Sequence, residues 1–298
     1  MQRVLATALA SALLLPILAA CNAQPDADTA APAATDTETA AATEATDTGT
    51  TAAADALAAA IAGDWRDPAN VARDSARHPA ETLAFFGIEP GQTVVEITPG
   101  GGWYTEILAP YLRDGGHYVG AIWADGASDY YDKTNAKLRE KVAAAPAAYD
   151  QAEWRAFDPK SPQFGPAGSA DAVLTFRNVH NWVNSDTGEA YFQAFFDVLK
   201  PGGTLGVVEH RAKPDTDLET MKKSGYMTEA LVIELAEKAG FELVEKSEAN
   251  ANPNDTADHP NGVWMLPPGN RHDEADAAKY EAIGESDRMT LRFRKPEA

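Results

Sequence analysis

Three consecutive glycines, Gly100, Gly101 and Gly102, directly behind a β-branched run constrain this chain more than any other feature. Val94-Val95-Glu96-Ile97 has the side chains of a buried strand, and Glu106-Ile107-Leu108-Ala109 beyond the glycines has those of a helix. The unit reads as strand, turn, helix. Glycine has no Cβ, so a ligand can approach the backbone of the turn closely. The N–H groups that open the following helix point toward whatever sits above it. Glu96, near the strand end, can accept hydrogen bonds from a ribose hydroxyl or an amino group. Such a unit places a nucleoside site at the carboxyl edge of a parallel sheet. The spacing differs from the dinucleotide pattern G-x-G-x-x-G. The plain alternative is a glycine-rich turn with no ligand, which any α/β protein can carry.

The alternation continues down the chain. His117-Tyr118-Val119-Gly120-Ala121-Ile122 reads as a strand, residues 130–145 as a helix, 152–157 and 170–176 as strands. A helix from Asp186 or Thr187 to Leu199 precedes a strand over 204–208. Thr228 caps a helix over 229–239 that Gly240 ends, and strands follow over 241–247 and 289–294. Strands alternating with helices predict an α/β fold with a mainly parallel sheet. Short helices come first: Asp67 caps one with Pro68 at its first position, and Pro79 starts another that Gly87 ends. Between them, Arg73, Asp74, Arg77 and His78 read either as a solvated charged face or as a lid over the site. The connection over 248–285 is long for a structureless loop. Trp264, Met265 and Leu266 within it predict that it packs on the domain and folds over the site.

Formal charge is −20, with 45 Asp and Glu against 25 Lys and Arg, and no cluster of basic residues forms a phosphate-backbone footprint, which argues against nucleic acid as a partner. A small-molecule substrate is the expected partner. Polar residues gather instead at strand ends. Arg177-Asn178-Val179-His180-Asn181-Trp182 follows the strand over 170–176, and Glu209-His210-Arg211 closes the one over 204–208. Such runs are hard to explain as core, and loop solubility is ordinarily met by Ser, Asp or Lys. His180 titrates near neutrality in its unperturbed state and is the natural acid–base candidate, with Glu209 and His210 as the other catalytic candidates. No metal centre is expected, since His210, His259 and His272 show no paired ligand spacing.

The glycine turn resembles motif I of the class I S-adenosylmethionine-dependent methyltransferases. Glu96 takes the acidic position, Gly100 and Gly102 take the second and third glycines, and Thr98, followed by Pro99, stands where the first glycine is expected. The 177–182 run resembles motif IV, and Leu199-Lys200-Pro201-Gly202-Gly203 is similar to the family's Leu-x-Pro-Gly-Gly turn. The resemblance covers residues 65–298. It implies a Rossmann-like seven-stranded methyltransferase sheet of order 3-2-1-4-5-7-6, in a single domain with N-terminal helices and an antiparallel last strand. It implies S-adenosyl-L-methionine as cofactor, with contacts from Glu96, Thr98, Pro99, Gly100, Gly101, Gly102, Tyr104, Arg177 and Asn178. Where the family ends strand 2 in an acid for the ribose, this chain has Ile122 or Trp123. Asp125 is the acid that the following loop offers, and Trp123 is either an adenine platform or a core residue. Asp158, after strand 3, stands where the family reaches the adenine amino group, and is equally a turn residue before Pro159.

Residues 1–20 read as a targeting segment: Arg3, then an apolar stretch ending in small residues. Leu18-Ala19-Ala20-Cys21 resembles the bacterial lipobox, which implies lipidation of Cys21, and Asn22 by the same resemblance favours the outer membrane, on its periplasmic face. Residues 21–55, rich in Ala, Thr, Asp and Glu, read as a disordered acidic linker, and 56–298 as the methyltransferase-like domain. The whole looks like an exported lipoprotein branch of predicted methyltransferases. Because S-adenosylmethionine is made in the cytoplasm, two readings stand: a methyltransferase acting on a small-molecule or envelope acceptor, and a catalytically inactive binding module that keeps the fold in the periplasm.

Overall fold

The structure, a computed structural model, describes residues 40–297; Cys21, the targeting segment and the first part of the linker lie outside the described residues. The compact unit that holds the site is Ala45–Ala298. Ahead of the sheet come helices α1 (Ala40–Ile61), α2 (Pro68–Val71), α3 (Asp74–Arg77) and α4 (Pro79–Phe85). The linker boundary expected at residue 55 falls inside α1. The segment is rich in alanine, the best helix former, and Leu57 and Ala60 near its end are buried. No described helix is long and apolar enough to cross a membrane.

The sheet begins with β1 (Thr93–Ile97), α5 (Thr105–Tyr111), β2 (His117–Trp123), α6 (Asp129–Ala144), α7 (Pro146–Tyr149) and β3 (Glu153–Phe157). Its second half runs β4 (Ala170–Phe176), α8 (Val179–Asn184), α9 (Gly188–Val198), β5 (Leu199–His210), α10 (Leu218–Ser224), α11 (Glu229–Ala239), β6 (Glu242–Ser247), α12 (Ala277–Ile283) and β7 (Arg288–Arg294). The seven strands lie in the order 3-2-1-4-5-7-6. β1 is central, parallel to β2 and β4, with Glu96 opposite Gly120 on one side and Leu174 on the other. β7 is antiparallel to both β5 and β6.

Both faces of β1 are covered, which is why it reads as a continuous apolar run. Val95 and Ile97 pack among side chains of α8, α9 and α11, while Val94, on the opposite face, packs with Leu83, Ile107 and Leu108. The alternation follows from the two-residue period of a strand.

Three local readings change. Lys200-Pro201-Gly202-Gly203 is not a turn ahead of β5 but a bulge within it: pairing with β4 passes from Ala170–Leu199 to Ala172–Thr204. The chain beyond β7 holds the bulge in the sheet, since the Gly202 N–H donates to the Lys295 carbonyl and the Lys295 N–H to the Gly203 carbonyl, each at 2.9 Å. The run after β4 is partly helical, as α8. The long connection carries α12 and is tied down by buried polar side chains. Asn250 donates to Thr82 and Thr290, both at 2.9 Å, and Asp255 accepts from the Tyr226 hydroxyl at 2.9 Å and from the Asp287 N–H at 2.8 Å.

Candidate functional site

The loops after β1 and β4 leave the same edge of a parallel sheet, where strand order reverses. They open onto a cavity of about 1020 Å³. Its floor is the glycine turn. Thr98, Gly100 and Gly102 sit at φ +47°, +61° and +81°, so the position that the motif gives to glycine holds threonine in a left-handed conformation. The Thr98 hydroxyl is buried without a hydrogen-bond partner among the described residues. A Cβ placed on Gly101 would meet nothing within 4 Å, and one on Gly100 only the Thr98 carbonyl at 4.0 Å. The backbone there lies open to the cavity. Gly102 differs: a Cβ would come within 2.9 Å of Leu138 on α6. Gly102 is therefore a packing glycine and, unlike Gly100 and Gly101, is not in the cavity lining.

Glu96 lines the cavity at 3% exposure. Its Oε2 accepts from the Tyr118 hydroxyl at 2.6 Å and from Thr105 Oγ1 at 3.0 Å. Burial raises its carboxyl to about 7 even though both hydroxyls favour the charged form. Tyr104 also lines the cavity, its ring stacked on Phe176 with centroids 3.5 Å apart. Pro99 and Asn178 complete this side. Asn178 Nδ2 donates to the Ile97 carbonyl at 3.1 Å, which ties the end of β4 to the end of β1.

His180 comes from the first turn of α8 and Glu209 from the end of β5, which places them face to face. His180 Nδ1 lies 3.0 Å from Glu209 Oε1, and the other carboxylate oxygen accepts the His180 backbone N–H at 3.2 Å. With Nδ1–H donating to the carboxylate, Nε2 carries the lone pair. Glu209 itself is fully buried beneath the lining rather than in it. His210 has its Nδ1 at 2.5 Å from Ser286 Oγ and its Nε2 accepting from Arg177 Nε at 3.3 Å. Burial first, then the charges of Arg177, His180, Arg288 and Arg77, push its pKa well below the usual histidine range, so this ring is neutral.

Among the described residues, His180, Glu209 and His210 are the one cluster whose ligand atoms could meet at a cation, all within 4.8 Å of each other. Sequence spacing does not reveal it, because strand pairing builds it. Both ring nitrogens of His210 and both oxygens of Glu209 are already hydrogen-bonded, and the neighbouring arginines oppose a second positive charge there.

Several expected contacts do not reach the cavity. Asp125 is exposed and pairs with Arg139 at 2.8 Å. Asp158 accepts the Lys160 N–H at 2.9 Å and serves its own turn. Arg211, which stands in the polar run at the end of β5, points away into Asp287 and Glu248. In place of a ribose acid, the region after β2 supplies an aromatic wall. Trp123 stacks on Tyr131 with centroids 4.2 Å apart, and Ser128, the N-cap of α6, stands beside them in the lining.

The short N-terminal helices cover the cavity with Asn70, Arg73 and Arg77; His78 is not in the lining. From the long connection come Trp264 and Arg271, and from the β3 loop Lys160. Sequence pattern does not single out Asn70, Ser128, Tyr131, Lys160 or Arg271. For Ser128 a signal was available, since a serine three residues ahead of Tyr131 is a helix cap whose side chain accepts the Tyr131 N–H.

No protein-family profile and no curated protein matches this sequence. Solved structures do resemble it. A S-adenosylmethionine-dependent methyltransferase from Aquifex aeolicus aligns over 77% of this chain and 94% of its own at 16% identity and TM-score 0.50. A putative sarcosine dimethylglycine methyltransferase from Galdieria sulphuraria aligns over 76% and 87% at 15% identity and TM-score 0.53. The cyclase SpnF aligns over 84% and 96% at 17% identity and TM-score 0.52. At such identities the likeness concerns architecture, and one of the three is named for a different reaction. The strand order, the antiparallel β7 and these neighbours together identify the fold as the Rossmann-like fold of the class I S-adenosylmethionine-dependent methyltransferases.

Proposed function

We propose that the protein is a S-adenosylmethionine-dependent methyltransferase, exported and anchored through Cys21 to the outer membrane on its periplasmic face, acting on a small-molecule or envelope acceptor. The observation that carries this reading is that the open glycine turn after β1 and a histidine backed by a buried carboxylate share one cavity.

The residues fit the cofactor. Above Gly100 and Gly101 there is room where a Cβ would project, the Thr98 hydroxyl lacks a partner among the described residues, and Glu96 offers a carboxylate. These would hold the amino-acid end and ribose, with Trp123 and Tyr131 as the apolar face for the base. When bound, S-adenosylmethionine supplies an electrophilic methyl group. The protein's part is positioning and proton removal. His180 accepts a proton at Nε2, and Glu209 holds the ring in the required tautomer and stabilises the imidazolium that forms. Tyr104, Phe176 and Trp264 narrow the space around the reacting groups and exclude water.

Calorimetry on the full chain with S-adenosylmethionine and S-adenosylhomocysteine tests the reading. Wild type is expected to bind both. Gly100→Val should abolish binding while the circular dichroism spectrum stays native, because its side chain enters the space above the turn. His180→Ala should spare binding and slow transfer about a hundredfold or more. Absence of heat with wild type at saturating ligand refutes the proposal and leaves the fold as a binding module for another ligand.

A further inference from the structure

The cavity is opposite in charge to the molecule around it. The chain has 45 Asp and Glu against 25 Lys and Arg. Yet the cavity is lined by Arg73, Arg77, Lys160, Arg177 and Arg271, with Glu96 as the carboxylate among them. These cations are short of partners. Glu285 alone serves Arg73 at 2.7 Å, Arg77 at 3.2 Å and Arg288 at 3.3 Å. The Nη2 end of Arg73 is buried without a hydrogen-bond partner among the described residues. Arg177 forms no ion pair among the described residues; its Nε donates to the neutral His210 ring. Glu209 is committed to His180 and to two backbone N–H groups.

Guanidiniums held this way repel one another. Burial first, then Arg177, bring Arg77 down to about 9; burial first, then Arg288, bring Arg177 down to about 10. Arg177 is also held at φ +63°, a conformation that costs a non-glycine residue free energy and that persists where surrounding structure imposes it. Arg177 and Arg73 are half-buried; a partly desolvated guanidinium with no carboxylate, or only a shared one, is destabilising, and an anion placed here lowers that cost. Planar guanidiniums receive carboxylate or phosphate through paired hydrogen bonds. The placement relative to the base is also defined. His210 lies between the two groups, hydrogen-bonded to Arg177 on one side and with its ring centroid 5.4 Å from that of His180 on the other.

We infer that the acceptor carries an oxyanion, a carboxylate or a phosphate, which Arg177 and Arg73 hold beside His180. That the bound molecule is the methyl acceptor rests on the methyl-transfer reading; the oxyanion site stands without it.

The full chain is titrated with malonate and, separately, with inorganic phosphate at ionic strength held constant with sodium chloride, following melting temperature and heat, with and without saturating S-adenosylhomocysteine. Malonate or phosphate is expected to raise the melting temperature beyond the chloride control, and the better of the two identifies the oxyanion. Arg177→Gln and Arg73→Gln should each weaken that binding about tenfold or more, while S-adenosylhomocysteine affinity changes less than about threefold. Arg177→Lys keeps the charge and should retain part of the binding, which separates loss of the site from loss of the fold. Stabilisation no greater than that by chloride, or unchanged in the glutamine variants, overturns the inference. So does an equal loss of S-adenosylhomocysteine affinity in Arg177→Gln, which would assign the guanidinium to the cofactor's own carboxylate. Anion binding in a wild type that ignores S-adenosylhomocysteine keeps the oxyanion site and refutes the methyltransferase reading instead.

Discussion

Glu96 is a carboxyl whose surroundings make its charge expensive. Its folded pKa of about 7 lies above the 4.5 of an ordinary glutamate. The folded protein therefore binds a proton that the unfolded chain has released, and stability falls as pH rises from about 4.5 through 7. Glu96→Gln keeps an oxygen for the Tyr118 and Thr105 hydroxyls and removes the charge. The variant is expected to be more stable than wild type at pH 8, by up to about 3 kcal/mol, and equal to it near pH 4; urea unfolding at the two pH values reads this directly. A variant no more stable at pH 8 would show that the carboxyl ionises at no cost. The acid at the end of β1 was legible in the sequence, because motif and strand period both mark it. Its partners were not: Tyr118 is 22 residues away, and only the parallel register brings its hydroxyl to the carboxylate. Asp125 stands outside the cavity lining for a related reason, since Arg139 on α6 pairs with it.

At the scale of elements, α2 and α3 are single turns that their own hydrogen bonds could not maintain in isolation. Tertiary ion pairs hold them. Glu106, in the first turn of α5, meets Arg66, Asn70 and Lys141. Glu285, just ahead of β7, meets Arg73 and Arg77. Burial raises the Glu285 carboxyl, but Arg77, Arg288 and Arg73 more than offset it and hold it at about 2. Its contribution is thus present above about pH 4.5 and lost as pH falls through 2. Glu285→Gln is expected to cost about 3 kcal/mol or more at pH 7 and to speed hydrogen exchange across residues 68–78. The difference from wild type should shrink in acid. Exchange at wild-type rates would mean that the arginines do not fasten these helices. Strand and helix periods located most elements within a residue or two, β4 and α11 among them. α8 escaped because Asn178 makes no side-chain cap bond and six residues show too little period. The charged run over 73–78 resembled a solvated face because periodicity cannot say that Glu285, more than 200 residues away, will pair with two of its arginines.

For the whole molecule, an acidic exterior surrounds a basic cavity, an arrangement that repels anions from most of the surface and concentrates them at one mouth. The membrane anchor proposed at Cys21 can be tested by fractionation. Wild type expressed in a bacterium with lipoprotein machinery should fractionate with membranes, and Cys21→Ser should either release the chain or leave its precursor uncut, as loss of acyl anchors requires. A processed Cys21→Ser variant that still sediments with membranes would overturn the anchor.

The position of β7 has a consequence for the order in which the molecule can be made. Among the described residues β6 pairs with β7 alone, and β7 also completes the edge of β5. A chain synthesised only as far as residue 287 therefore has a β6 with nothing to pair to among the described residues, an unprotected β5 edge, and an Arg211 whose Asp287 partner is not yet fixed in place. The Glu285 contacts that close the N-terminal helices over the cavity wait for the same event. Assembly of the cavity is thus tied to arrival of residues 288–294, whose pairing with β5 and β6 has to precede closure of the site.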